Sequence, residues 1–128
     1  MIAQKENRCP LVLVVEDDDL LRLASSYELA DSGFQTLVAR TAADAVAILN
    51  ECEVIDALFT DISMPGAMNG VALAYHVLEK LPHAYVLITS GDEPPAGQAL
   101  PKNSQFIHKP YALADVAAMI REHVGDDV

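Results

Sequence analysis

LVLVVEDDDLL, residues 11–21, runs from five apolar residues straight into four consecutive acids. The apolar part has the length of a strand and no polar residue to turn toward water. It therefore reads as a central strand covered on both faces, as in a parallel sheet. Its end is crowded by Glu16, Asp17, Asp18 and Asp19. Like charges about 4 Å apart repel by roughly 4 kcal/mol at an effective dielectric near 20. Something at the mouth of this strand must offset that repulsion.

On either side of this stretch, strand-like and helix-like segments alternate. DLLRLASSYELADS (19–32) has apolar residues at Leu20, Leu23, Tyr27 and Ala30, a helical spacing, and Gly33 suits a helix end. QTLVA (35–39) reads as a second strand. Thr41 caps a helix through residue 51, with Asp44 three residues on as an imperfect capping box. DALFT (56–60) is a third strand, 71–81 a helix stopped by Pro82, YVLIT (85–89) a fourth strand and QFIHK (105–109) a fifth. The last helix places Leu113, Val116, Ala117, Ile120 and Val124 on one face. Such alternation implies an α/β fold, a doubly wound parallel sheet with helices on both faces.

Length and composition fit this reading. The 128 residues suit a single domain spanning 1–128, with a core over about 9–124 and flexible ends. Hydrophobic residues at 52% and charged residues at 21% describe an ordinary globular chain. No apolar run reaches the roughly 20 residues of a membrane span, and the N-terminus lacks a signal-peptide core, so the expected location is cytoplasmic. A net charge of −11 argues against nucleic acid and anionic membranes as partners. Cys9 and Cys52 form no CxxC, and His76, His83, His108 and His123 form no ligand pattern. Two reduced thiols are expected, and zinc or cysteine-nucleophile chemistry is set aside.

In doubly wound sheets, ligands bind beyond the carboxyl ends of the strands. Strand 1 ends at Glu16 and Asp17, strand 3 at Asp61, strand 4 at Thr89–Ser90 before Gly91, and strand 5 at Lys109. Asp17 and Asp61, with Glu16 nearby, make a hard oxygen set suited to Mg²⁺. Asp18 and Asp19 are instead read as acids favourable to a helix N-terminus. Lys109 would pair with Asp61 at rest and clamp a phosphoryl oxygen later, with Ser90 and the Gly91 amide as further donors. These parts describe phosphoryl transfer onto a carboxylate, which as an anion needs no general base. Ser63 stands two residues after Asp61, where a DxD-type phosphatase would carry its acid. No nucleotide-binding glycine loop is present in the chain.

Four pieces in this order, VVEDD, FTDISMPGAMNG, LITSG and FIHKP, resemble the receiver domain of two-component response regulators from about Cys9 to Val124. The resemblance implies a flavodoxin-like five-stranded sheet in the order 2-1-3-4-5. It makes Asp61 the phosphoacceptor, with Mg²⁺ held by Asp17, Asp61 and the Ser63 backbone carbonyl, and Glu16 reaching the ion through water. It gives Lys109 to the phosphoryl group, turns Ser90 toward that group and makes Phe106 the aromatic switch position. Phe106 also reads as a plain core residue of strand 5.

There are two departures from the family pattern. The loop Gly66-Ala67-Met68-Asn69-Gly70 is one residue longer than the common form and is similar to receivers of hybrid sensor kinases and some single-domain regulators. Pro94, Pro95, Gly97 and Pro101 crowd residues 91–104, so the helix usual between strands 4 and 5 is expected to be short, displaced or absent. The resulting expectation is a signalling domain that catalyses its own phosphorylation and slow autodephosphorylation rather than a turnover enzyme. Its partners would be a histidine kinase or histidine phosphotransfer protein and a downstream protein, and it would be a monomer or weak dimer. A phosphorylation-independent pseudo-receiver and a Mg²⁺-dependent phosphatase are the alternatives.

Overall fold

The computed structural model describes residues 9–51, 54–92 and 98–124. The two ends expected to be flexible, Cys52, and the middle of the 91–104 segment lie outside the described residues. Five strands form one sheet: β1 (Leu11–Val15), β2 (Gln35–Ala39), β3 (Ala57–Asp61), β4 (Tyr85–Ser90) and β5 (Ser104–His108). All pairings are parallel and the order is β2-β1-β3-β4-β5. Four helices are described: α1 (Asp19–Asp31), α2 (Ala42–Glu51), α3 (Gly70–Lys80) and α4 (Leu113–Val124). Among the described residues no helix lies between β4 and β5, and none is long and apolar enough to cross a membrane.

The strand alternation divides the core into two layers. Val12 and Val14 of β1 join Phe59, Leu87, Leu29 of α1 and Val116, Ala117 and Ile120 of α4 on one face. Leu13 and Val15 join Leu58, Ile88, Leu49 of α2 and Val71, Leu73 and Val77 of α3 on the other. Burying β1, β3 and β4 on both faces requires the uninterrupted apolar runs that the sequence shows. Cys9 is exposed with a free thiol.

The helix starts are set by side chains. Asp18 is the N-cap of α1 and accepts from the amides of Leu20 (3.0 Å) and Leu21 (3.1 Å). Asp19, in the first turn, pairs with Arg22 at 2.7 Å. Thr41 Oγ1 accepts from the Asp44 amide at 3.1 Å, and Asn69 caps α3 through the Ala72 amide at 2.9 Å. The apolar spacing of α1 marks a helix but not its core face. Leu20, Leu23 and Tyr27 are 79%, 57% and 73% exposed, while Ser25 and Leu29 are the buried positions. α1 thus turns polar Ser25 and half-buried Arg22 inward and an apolar stripe outward.

Gln98 and Ala99 are held to α3 and its N-cap residue. The Asn69 amide group donates to Gln98 Oε1 at 3.0 Å, and the Tyr75 hydroxyl donates to the Ala99 carbonyl at 2.8 Å.

Candidate phosphoryl and metal site

Parallel register brings the loaded residues to one edge. Val15 lies beside Thr60, so Glu16 is level with Asp61. Asp61 lies beside Thr89, and Ser90 beside His108, one residue short of Lys109. The Lys109 amide donates to the Ser90 carbonyl at 3.0 Å, extending the ladder past β5, and the Lys109–Pro110 peptide bond is cis.

Carboxylate oxygens of Glu16, Asp17 and Asp61 lie within 4.8 Å of one another. Glu16 and Asp61 are buried and Asp17 is exposed, so the cluster opens to solvent on the Asp17 side. Lys109 Nζ is 3.2 Å from Asp61 Oδ2 and 3.4 Å from Glu16 Oε1. This cation offsets part of the crowding at the strand mouth. Glu16 also accepts from the Asp18 amide at 3.1 Å, and its backbone carbonyl accepts from Arg22 Nη1 at 3.0 Å.

Burial holds the Asp61 carboxyl above its ordinary range, with the Asp17 charge adding to the effect and Lys109 opposing it. Burial likewise raises Glu16, against the Asp18 amide and Lys109, with Asp61 as a further raising charge. Burial alone would pull Lys109 down. Asp61 and Glu16 outweigh it, and the ammonium is held above its ordinary value. The resting site is therefore short of positive charge. Its hard, converging oxygen donors fit a divalent cation such as Mg²⁺.

The remaining residues singled out in the sequence stand as follows. Ser90 is buried, and its Oγ accepts from the Asp92 amide at 3.1 Å. Gly91 and Ser63 are exposed beside the site, and among the described residues nothing crowds the place where a Gly91 Cβ would sit. Phe106 is half-buried, packs against the α2–α3 layer and meets His108 edge-on at 4.8 Å.

Three contributors were not assigned from sequence. Thr60 Oγ1 donates to the Asp61 carbonyl at 2.9 Å, and Arg22 grips the end of β1. Gly70 packs against Asp61 so closely that an added Cβ would fall 2.8 Å from the Asp61 carbonyl carbon and 2.9 Å from Ile62 Cα. Gly70 stood inside the quoted loop motif, but only the packing gives its reason.

A family model described as the response regulator receiver domain matches residues 12–121. The chain belongs to that family. Among curated relatives, the receiver is 28% identical over 115 residues to the sensor kinase CckA of Brucella abortus, covering 87% of this chain and 12% of that protein. It is 34% identical over 106 residues to the C4-dicarboxylate transport transcriptional regulatory protein DctD of Rhizobium meliloti, covering 80% of this chain and 23% of that protein. The chain thus spans well under a third of the length of either relative. Among solved structures, a response regulator receiver protein from Sinorhizobium medicae superposes with a TM-score of 0.83 at 24% identity, covering 91% of this chain and 95% of that one. The receiver domain of the hybrid histidine kinase CckA gives 0.76 at 28% identity, covering 89% and 98%. The receiver is thus a signalling domain of the two-component class with a flavodoxin-like fold.

Proposed function

We propose that this receiver accepts a phosphoryl group on Asp61 from the phosphohistidine of a histidine kinase or histidine phosphotransfer protein, and passes the signal on by protein contact. One observation carries the reading: three carboxylates converge at the carboxyl edge of the sheet with Lys109 Nζ 3.2 Å from Asp61. An Asp61 oxygen attacks phosphorus as the P–N bond of the donor breaks. Lys109 leaves its ion pair to hold a phosphoryl oxygen, and Ser90 and the Gly91 amide supply further donors. Asp17, Asp61 and the Ser63 carbonyl would hold Mg²⁺, with Glu16 reaching it through water. When bound, the cation neutralises charge on the phosphoryl oxygens. Ser90 and Phe106 form the proposed switch, shifting an equilibrium between two surface conformations. The domain acts as a signalling element rather than as a turnover enzyme, in the cytoplasm, and stands as one folded unit over about 9–124.

The test is to incubate the protein with Mg²⁺ and a small phosphodonor and weigh it intact. A single phosphate adduct is expected, absent in Asp61→Asn. A folded wild-type protein that takes no adduct would favour a phosphorylation-independent binding module. Sustained turnover of varied phosphate esters would favour a phosphatase.

The outer stripe of α1 supplies a docking surface for the donor. Leu20, Leu23, Tyr27 and Ala30 are exposed at spacings that alternate three and four, the seam that a second helix packs against at about 20°. The stripe starts three residues after Asp17, so a helix lying on it would begin near the acid mouth. A net charge of −11 disfavours a second copy of this chain and favours a donor helix with basic flanks. Leu23→Asp is expected to slow transfer from a phosphorylated histidine protein by about tenfold or more. Its reaction with a small phosphodonor should stay within about twofold of wild type, since Leu23 lies outside the acid cluster. Equal losses with both donors would place the effect in the acid site instead.

A further inference from the structure

Three buried hydroxyls complete no hydrogen bond among the described residues: Thr89, beside Asp61 in the sheet, Ser25 and Tyr111. Ser25, on the inner face of α1, is 1% exposed, and its Oγ completes no hydrogen bond. Tyr111, two residues after Lys109, turns its ring edge-on to Phe59 at a centroid distance of 5.7 Å, and its buried OH is likewise unpaired. Burial, then the charges of Glu16 and Asp61, push the Tyr111 hydroxyl up to about 12, and the nearby Ser25 works the other way. Leu21, four residues before Ser25 on α1, lines one cavity with Lys109, Pro110 and Tyr111, so this side of α1 faces the turn that follows β5.

An orphaned buried hydroxyl costs free energy and adds no packing that carbon would not. Phenylalanine would keep the contact with Phe59, and alanine would suit the inner face of a helix. Two such groups side by side are explained if they serve each other. Each hydroxyl can both donate and accept, and rotation of the Ser25 side chain and of the phenolic O–H can turn one toward the other.

We propose that Ser25 and Tyr111 form a hydroxyl clamp tying α1 to the Lys109–Tyr111 turn, and that Tyr111 is thereby a positioning residue for Lys109. This rests on the phosphoryl-accepting reading above. α1 then grips the site twice. Arg22 holds the carbonyl of Glu16 at 3.0 Å, and one turn later Ser25 holds the segment that carries the lysine. Lys109 is fixed at its amide by the Ser90 carbonyl, and the clamp fixes the chain on its other side. Releasing it lets the ammonium spread over positions away from Asp61 while leaving the carboxylates where they are.

The test uses Tyr111→Phe, Ser25→Ala and the double variant in the intact chain. Adduct formation with a small phosphodonor at saturating Mg²⁺ is expected to slow by between about 3-fold and 10-fold in each single variant. The double variant should be no slower than the slower single, because either change removes the same pair. Mg²⁺ affinity, followed by calorimetric titration, should stay within about twofold of wild type, as a Lys109 effect requires and a general loosening of the site does not. Rates equal to wild type, or losses that multiply in the double variant, overturn the clamp. A parallel fall in Mg²⁺ affinity overturns the positioning role. Melting curves of the same four proteins give a second measure. Non-additive loss of melting temperature supports the pair, and a Tyr111→Phe protein that melts higher than wild type overturns it. If wild-type protein takes no adduct, the phosphoryl-accepting reading fails while the melting cycle still decides the clamp.

Discussion

Gly70→Ala should cost at least about 3 kcal/mol, because the methyl group has no room that a side chain could vacate. The added Cβ meets the carbonyl of Asp61 and Cα of Ile62, both backbone atoms of the strand end. Gly70 opens α3 and its amide donates to the Ile62 carbonyl at 2.9 Å, so helix and strand are pinned together where the clash falls. Relief requires lifting α3, which strips contacts from Val71, Leu73, Ala74 and Val77, all fully buried. At about 4 °C per kcal/mol for a chain of this size, a drop of roughly 10 °C or more in melting temperature is expected, with slower adduct formation because Asp61 itself is displaced. Gly66 is the control. Its φ of 108° makes alanine strained there, yet nothing among the described residues lies within 4 Å, so Gly66→Ala should cost only about 1–2 kcal/mol. Equal melting temperatures for the two variants would show that α3 is not seated on Asp61 as described.

The contrast between these glycines shows what was legible in the sequence. β1, β3 and β4 could be read because a strand buried on both faces must be apolar throughout, and an acid or hydroxyl at its end is then conspicuous. Glu16, Asp17, Asp61 and Lys109 were found this way, and parallel register brings them together. The inner face of α1 could not be read. Its most regular apolar stripe, Leu20, Leu23 and Tyr27, is the exposed one, and its buried side contains Ser25. Periodicity identifies a helix, but which side faces inward is fixed by packing at a distance in sequence, where Leu29 joins Val12 and Val14 of β1 and Ile120 of α4 in one core layer. Between β4 and β5 the prolines spoke against a long helix. They gave no sign that Asn69 and Tyr75 of the α3 region would hold residues 98 and 99.

The largest condition-dependent effect concerns Asp61→Asn, which should raise stability near neutral pH while abolishing the adduct. Asp61 and Glu16 both have folded-state pKa values above their ordinary 3.8 and 4.5, with burial as the main cause. Between the unfolded and folded values the native state holds more protons than the unfolded chain. Stability therefore falls as pH rises through that window and levels off above it. Lys109 does not reverse this at neutral pH. Its raised pKa contributes stability that is complete below its ordinary 10.5 and is lost only as pH climbs through the folded value. The asparagine variant lacks the penalty, so its melting temperature should exceed wild type by an amount that grows from mildly acid to neutral pH. Mg²⁺ should act on wild type in the same direction. It binds the ionised carboxylates, adding about 2.7 kcal/mol at a hundred times its Kd, and the gain should shrink as the solution is acidified. Melting curves of both proteins across pH, with and without Mg²⁺, measure all three slopes. An asparagine variant less stable than wild type at pH 7 would mean that the Lys109–Asp61 pair outweighs the burial of its carboxylate. The site would then be a source of stability rather than one that trades stability for the capacity to take a cation and a phosphoryl group.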